Sequence, residues 1–235
     1  MPARDPRWHH DSPEEIPGLF GLERARLLDL LGSLTSGDWA RPTPCPGWSI
    51  LDLCCHLLSD DLGWLARHRD QHQPTVNAPT TDDASLARWL DDLQDKWVQA
   101  ARRLSPPLVT DLLAWSGPQI VAGLANQDPT AVKGSVSWAG PGPVPVWLDQ
   151  LREVSEQWIH RQQLLQARGC SLPKRVPTQL GRIRTAVFKV LKARKLIFAK
   201  PTKDIPSLGA WLDHRNRTRS ASSSPQGPRD VEPGV

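Results

Sequence analysis

The sequence lacks several features that would assign it to a particular class of protein. Its 235 residues include no tyrosine and no apolar run near the roughly 18 residues that a membrane-spanning helix needs. The N-terminus, MPARDPRWHHDSPEE, has no apolar core, so it does not resemble a secretory signal. None of the four cysteines forms a CxxC pair, which argues against a disulfide framework or a zinc knuckle. These absences predict a protein of the reducing cytoplasm with no transmembrane segment.

Sequence signatures of several common enzyme classes are also missing. The chain contains no GxGxxG, no P-loop, no GxSxG and no internal repeat. No segment shows a convincing strand-like alternation of apolar and polar residues. We therefore expect an all-α fold whose function resides in polar side chains carried by helices.

Lysine is scarce outside one segment. Residues 174–203 hold six of the eight lysines, four arginines and no acidic residue, so this segment carries +10 while the whole chain carries +4. The remainder is net acidic, and the high isoelectric point belongs to the segment alone. We predict no nucleic-acid binding by residues 16–170, and an anionic surface as a possible partner for residues 174–203.

Apolar residues recur at helical spacing in six stretches, separated by proline-rich loops. The predicted helices span residues 16–34, 50–68, 84–104, 109–115, 118–125 and 147–167. This pattern predicts an antiparallel four-helix bundle over residues 16–170. Residues 1–15 are predicted to be disordered, and residues 171–235 to form a basic helix followed by a disordered tail.

Two polar groups on these helices are candidate metal ligands. Glu156 and His160 are four residues apart, so they project side by side and form either half of a metal site or an ordinary surface pair. On the second helix His56 lies in line with acidic residues. It belongs either to an exposed polar stripe or to a site in which Asp60 or Asp61 orients its ring.

Two separated segments resemble one known family. Residues 38–58, DWARPTPCPGWSILDLCCHLL, and residues 136–163, which begin VSWAGP and end REVSEQWIHRQQ, resemble the two signatures of the mycothiol-dependent maleylpyruvate isomerase family. That family belongs to the DinB-like metalloenzyme superfamily. The resemblance covers about residues 20–170, and residues 171–235 do not match the family's usual C-terminal part.

The resemblance implies a DinB-like four-helix bundle that holds one divalent metal, most likely Zn²⁺, through His56, Glu156 and His160. Three protein ligands leave an open position, where a low-molecular-weight thiol such as mycothiol would lose its proton. In the family's isomerase the thiolate adds to the cis double bond of maleylpyruvate, and elimination after rotation leaves the trans isomer.

Other residues have roles that the sequence leaves open. Arg41, Arg152 and Arg161 could bind a substrate carboxylate or be solvated surface residues. Gln163, one turn beyond His160, could line the site. Three cysteines are predicted to be buried structural residues: Cys45, Cys54 and Cys55.

Two functions follow from these observations. The first is a metal- and thiol-dependent isomerase or S-transferase that activates a mycothiol-like thiol for attack on a small electrophile. The second is a non-catalytic metal-binding helix bundle whose basic C-terminal extension binds an anionic partner.

Overall fold

The computed structural model describes residues 16–72, 83–135 and 143–170. The described helices are α1 (Ile16–Gly32), a short 3-10 helix (Asp38–Ala40), α2 (Ile50–His68), α3 (Asp83–Ala101), α4 (Pro106–Ala125) and α5 (Val146–Ala167). This helical architecture confirms the predicted fold class at its coarse level. The predictions for residues 1–15 and 171–235 fall outside the described residues.

The expectation of no strand is wrong at one place. Strand β1 (Val132–Ser135) pairs antiparallel with β2 (Pro143–Pro145), in a register that is irregular within β1. These strands have four and three residues. Segments this short give little room for a recognisable alternation, and prolines are tolerated where a strand has a free edge. The ribbon leads directly into α5.

Helix α2 begins at a capping box, as its sequence predicts. The Ser49 side chain accepts a hydrogen bond from the Asp52 backbone N–H, and the Asp52 carboxylate accepts one from the Ser49 N–H at 2.9 Å. Arg102 on the chain after α3 adds an ion pair to Asp52 at 2.9 Å. The start of the helix that carries His56 is therefore well fixed.

The proline-rich loop before α2 closes on itself. The Ile50 N–H donates to the Arg41 carbonyl at 3.0 Å, and the Thr43 N–H donates to the Trp48 carbonyl at 2.9 Å. Gly47 makes the turn with a φ of +77°, a conformation that glycine adopts without steric cost. The closed loop presents Trp48 toward α2.

Helix α4 is continuous, whereas the sequence predicted two short helices interrupted before Pro118. The predicted third helix, residues 84–104, is observed as α3 (Asp83–Ala101), and Pro106 lies in the first turn of α4. Pro118 lies inside α4, where it removes one backbone hydrogen bond. Tertiary packing outweighs the loss of this hydrogen bond. Ile120 is buried, and Gly117, the residue before Pro118, packs against the Arg24 side chain of α1.

Helix α4 is also long and apolar enough to cross a membrane, judged by length and composition alone. In the structure it contacts both α1 and α2, and it buries a face that includes Val109, Leu113 and Leu124. Core helices of water-soluble folds have a similar composition, and 33% of the most apolar stretch of α4 is buried within the described fold.

Helix α2 lies at the centre of the described fold. It contacts α3, α4 and α5, while α1 contacts α4 and α5. Apolar side chains from the first four helices and from α5 form the main core, which is lined by residues such as Leu27, Leu53, Leu57, Leu113 and Leu164. The contact between α2 and α5 brings the two helices with candidate metal ligands together.

Candidate metal centre

The three predicted metal ligands meet at the contact between α2 and α5. The donor atoms of His56, Glu156 and His160 all lie within 4.8 Å of one another. Nε2 of His56 is 3.1 Å from Nε2 of His160, and Nε2 of His160 is 3.2 Å from Oε2 of Glu156. Residues 104 positions apart in sequence thus direct their polar atoms at one point.

The separations of 3.1 and 3.2 Å fit a common metal ion. Bonds of about 2.0–2.1 Å at tetrahedral angles place neighbouring donor atoms roughly 3.3 Å apart. Two imidazole nitrogens and one carboxylate oxygen are a donor set suited to Zn²⁺ and related divalent ions. The three side chains are largely buried, with Glu156 the most exposed at 19%.

Gln163 fixes the orientation of His160. Its Oε1 lies 2.7 Å from Nδ1 of His160, and because an amide oxygen only accepts, Nδ1 carries the hydrogen. The lone pair of the neutral ring is then on Nε2, which faces His56 and Glu156. The same Gln163 oxygen accepts from the Cys45 thiol at 3.4 Å, so the proline-rich loop supports this arrangement. This is the usual support of a metal-binding histidine.

Trp48 covers the other histidine. Its ring centroid lies 5.2 Å from that of His56, and its indole N–H donates to Asp95 on α3 at 3.0 Å. The loop and α3 therefore both limit the movement of the His56 ring.

The two histidines differ in their affinity for protons. Burial lowers the pKa of His56, although the nearby Asp60 carboxylate opposes this effect. Burial also works against a charge on His160, but contacts with Cys45 and Glu156 outweigh it and raise the pKa of His160 to about 10. Without a metal, His160 holds a proton beside Glu156, and a metal ion must displace it.

Several carboxylates lie around Arg152, beside the site. Glu153, Asp149, Glu156 and Asp60 all act on this cation and raise its pKa. Arg152 contacts Glu153 closely and Asp149 at 3.4 Å. Burial raises the pKa of the Glu153 carboxyl despite this partner. Of these carboxylates, Asp60 and Glu156 contact the two histidines, where their charge favours a bound cation.

The predicted substrate-binding arginines have other partners. Arg41 is half exposed, pairs with Asp38 at 2.9 Å and donates to the Arg168 carbonyl at 3.1 Å. Arg152 lies beside the site but is paired with acidic residues, as described above. Arg161 pairs with the buried Glu23 at 2.8 Å and so ties α5 to α1. Roles in binding a substrate carboxylate stay predictions for all three arginines.

Sequence reasoning missed two residues near the site. Glu153 lies three positions before Glu156 and seven before His160, so the helical period places it on the same face. Gln94 on α3 donates to Asp60 at 2.9 Å, and no local pattern marks it. Of the two aspartates considered as partners of His56, Asp60 contacts it at 3.5 Å, while Asp61 instead pairs with Arg24 on α1.

Comparisons with known proteins bear on the family and the fold. The family model described as the mycothiol maleylpyruvate isomerase N-terminal domain matches residues 20–165, more than half of the chain. The fold is similar to a crystal structure of the mycothiol-dependent maleylpyruvate isomerase, with a TM-score of 0.53 and 14% identity over 77% of this chain and 68% of that one. A histidine-to-alanine mutant of that enzyme matches with a TM-score of 0.50 and 15% identity at the same coverage. These identities establish likeness of fold alone, and a comparison with curated proteins found no match.

Proposed function

The chain belongs to the mycothiol maleylpyruvate isomerase N-terminal domain family, and from that premise we propose that it is a divalent-metal-dependent enzyme. It would activate a low-molecular-weight thiol, such as mycothiol, for attack on a small electrophile, as an isomerase or an S-transferase. One observation supports the proposal most: the donor atoms of His56, Glu156 and His160 converge within 4.8 Å.

These three residues would hold the metal, most likely Zn²⁺. A metal bound by three protein ligands keeps an open position and lowers the pKa of a thiol that enters it. The thiolate that results is the nucleophile that attack on an electrophilic double bond requires.

The sulfur would come from a small molecule rather than from Cys54 or Cys55. Burial raises the pKa of Cys54 far above neutrality and that of Cys55 to about 11, so neither is a thiolate at pH 7. Neither is a docking site either, because both are core residues with almost no exposed surface. This supports a thiol cosubstrate.

The chain's own residues would position the ligands. Gln163 holds His160 in the tautomer that presents Nε2 to the metal, and Trp48 packs against the His56 ring. Arg152 and Arg41 are the proposed partners of a substrate carboxylate. Arg152 would have to exchange its contact with Glu153 for the substrate, whereas Arg41 is already half exposed.

We further infer that four helices form the predicted antiparallel bundle. Helix α1 contacts α4 and α5, and α2 contacts the same two helices, which is the pattern of a four-membered ring. Helix α3 packs on α2 outside this ring and contributes Gln94 and Asp95 near the site. The boundaries of 16–170 for this domain and a cytoplasmic location stay predictions.

The test combines metal content with thiol-dependent turnover. We expect the purified protein to hold about one zinc per chain, and to isomerise maleylpyruvate or conjugate a small electrophile only when mycothiol or a related thiol is added. His160→Ala should lose both properties, and His72→Ala, which changes an exposed histidine outside the cluster, should keep both. A metal-free protein whose activity is the same in both variants would refute the proposal.

The second function considered from the sequence rests on residues 174–203. This segment lies outside the described residues, so binding of an anionic partner there stays a prediction.

A further inference from the structure

Asp60 contacts His56 on the side that faces the metal site. Its Oδ2 lies 3.5 Å from Nε2 of His56, the same nitrogen that is 3.1 Å from His160. A carboxylate that only orients a metal-binding histidine contacts the ring nitrogen that does not bind the metal. Asp60 therefore does not have the position of an orienting partner.

Gln94 holds the Asp60 carboxylate in this direction. The Gln94 amide nitrogen donates to Oδ1 of Asp60 at 2.9 Å, which leaves Oδ2 pointing toward His56. Carboxylates that bind metals are commonly held in this way, with one oxygen in a hydrogen bond. Helix α3 thus contributes to the site through α2.

The charge on Asp60 lacks a basic partner at close range. Among the described residues, no lysine or arginine forms an ion pair with it, and Arg152, which acts on it from farther away, contacts Glu153 instead. A divalent cation is the group that would balance this carboxylate.

We propose that Asp60 is a fourth protein ligand of the metal, through Oδ2. This inference rests on the proposed function and adds a ligand to it. Two histidines and two carboxylates would carry the charge of the divalent ion to zero. Asp60 would then occupy the position that the thiol must enter. The thiol would bind by displacing the Asp60 carboxylate, and the hydrogen bond from Gln94 would keep that carboxylate close to the site.

The experiment compares Asp60→Asn with Asp149→Asn. Asp149 is a matched control because its side chain is about as exposed, at 26% against 23%, and it acts on the same Arg152, yet it does not contact either histidine. Zinc affinity is measured by competition with a chromophoric chelator, and ligand geometry by the visible spectrum of the cobalt-substituted protein.

Asp60→Asn should bind zinc about 10- to 100-fold more weakly and shift the cobalt bands. Its cobalt-loaded form should also bind a small thiol more tightly than the original protein does. Asp149→Asn should leave all three quantities nearly unchanged. Circular dichroism and thermal unfolding of the metal-free proteins check that both variants fold.

Asp60→Ser provides a second test if Asp60→Asn does not fold. It also removes the carboxylate and leaves Gln94 in place, so a similar loss of zinc affinity is expected. Equal losses in Asp60→Asn and Asp149→Asn, or an unchanged cobalt spectrum in Asp60→Asn, would overturn the inference. If the original protein binds zinc and Asp60→Asn binds it equally well, only this inference fails. If the original protein binds no metal, the proposed function fails with it.

Discussion

Asp60 and Asp61 are consecutive residues of α2, yet they belong to two buried polar regions of opposite character. Asp61 forms a closed network with Arg24: Oδ2 and Oδ1 accept from the two guanidinium nitrogens at 2.6 and 2.8 Å. Ser116 donates to the same carboxylate, and Arg24 also donates to the Leu113 carbonyl at 2.7 Å. In this network the two charges cancel and their hydrogen bonds are largely satisfied.

Asp60 belongs to the opposite kind of region. There the Asp60 and Glu156 carboxylates face two imidazole rings whose pKa values are displaced in opposite directions. Asp61 is thus almost fully buried with its charge paired, whereas the neighbouring Asp60 is partly exposed and has no arginine or lysine ion pair among the described residues. Burial of polar groups alone does not identify a functional site, whereas an excess of charge that a ligand would neutralise does.

The largest expected effect is on the closed network. Asp61→Ala should lower the free energy of unfolding of the metal-free protein by about 3–5 kcal/mol, because it leaves the Arg24 guanidinium buried without its partner. Chemical denaturation measures this loss. Zinc affinity of the folded variant should stay close to that of the original protein, and a stability change below about 1 kcal/mol would show that the network is not a structural element.

The second effect distinguishes the site from the network. Free zinc at 100 times its dissociation constant should stabilise the protein by about 2.7 kcal/mol, because the ion binds the folded chain in preference to the unfolded one. Chelation should reverse this gain. His160→Ala should lose the zinc-dependent part of its stability, while Asp61→Ala should keep it in full. Equal zinc-dependent gains in the original protein and in His160→Ala would remove the distinction between the two regions.

A smaller effect should follow from the support of His160. Gln163→Ala should weaken zinc binding about 10- to 100-fold, because the Nδ1 hydrogen loses the acceptor that fixes the tautomer. The exposed Gln166→Ala, one turn away along α5, is the control and should bind zinc normally. If both variants bind zinc alike, the contact between Gln163 and His160 does not serve the metal.

The smallest expected effect is the release of protons when zinc binds. Zinc binding near pH 7–8 should release about one proton, since His160 with a pKa of about 10 is protonated in the metal-free protein and His56 is not. The apparent affinity should rise about tenfold per pH unit in this range. The stability of the metal-free protein should change with pH in the opposite direction. The raised pKa of His160 stabilises the folded chain fully below about pH 6.5, and this stabilisation is lost as the pH rises toward 10. Proton uptake, or no proton release, would contradict the assignment.

Much of the site could be predicted from the sequence, because its signals are local. The spacing of Glu156 and His160 places both on one helical face, and the capping box at Ser49 marks the start of the helix that carries His56. The resemblance of two segments to one family joined these three residues. The helical fold class followed from the same apolar periodicity.

What the sequence could not predict depends on tertiary contacts. Pro118 suggested a helix end, but packing of α4 on its neighbours carries the helix through it. The ribbon of β1 and β2 is too short to show alternation. The helical period places both Asp60 and Asp61 near His56. Their partners depend on the neighbouring helices: Arg24 on α1 pairs with Asp61, and Gln94 on α3 donates a hydrogen bond to Asp60.

The central claim is that α2 and α5 together hold one divalent metal ion. Metal analysis by mass spectrometry tests it most directly. The samples are the original protein and a double variant that combines His56→Ala with His160→Ala. Both are loaded with zinc and then freed of unbound ion. We predict about one zinc per chain in the original protein and only background in the double variant. An original protein that retains no metal, or a double variant that retains as much, would contradict the claim.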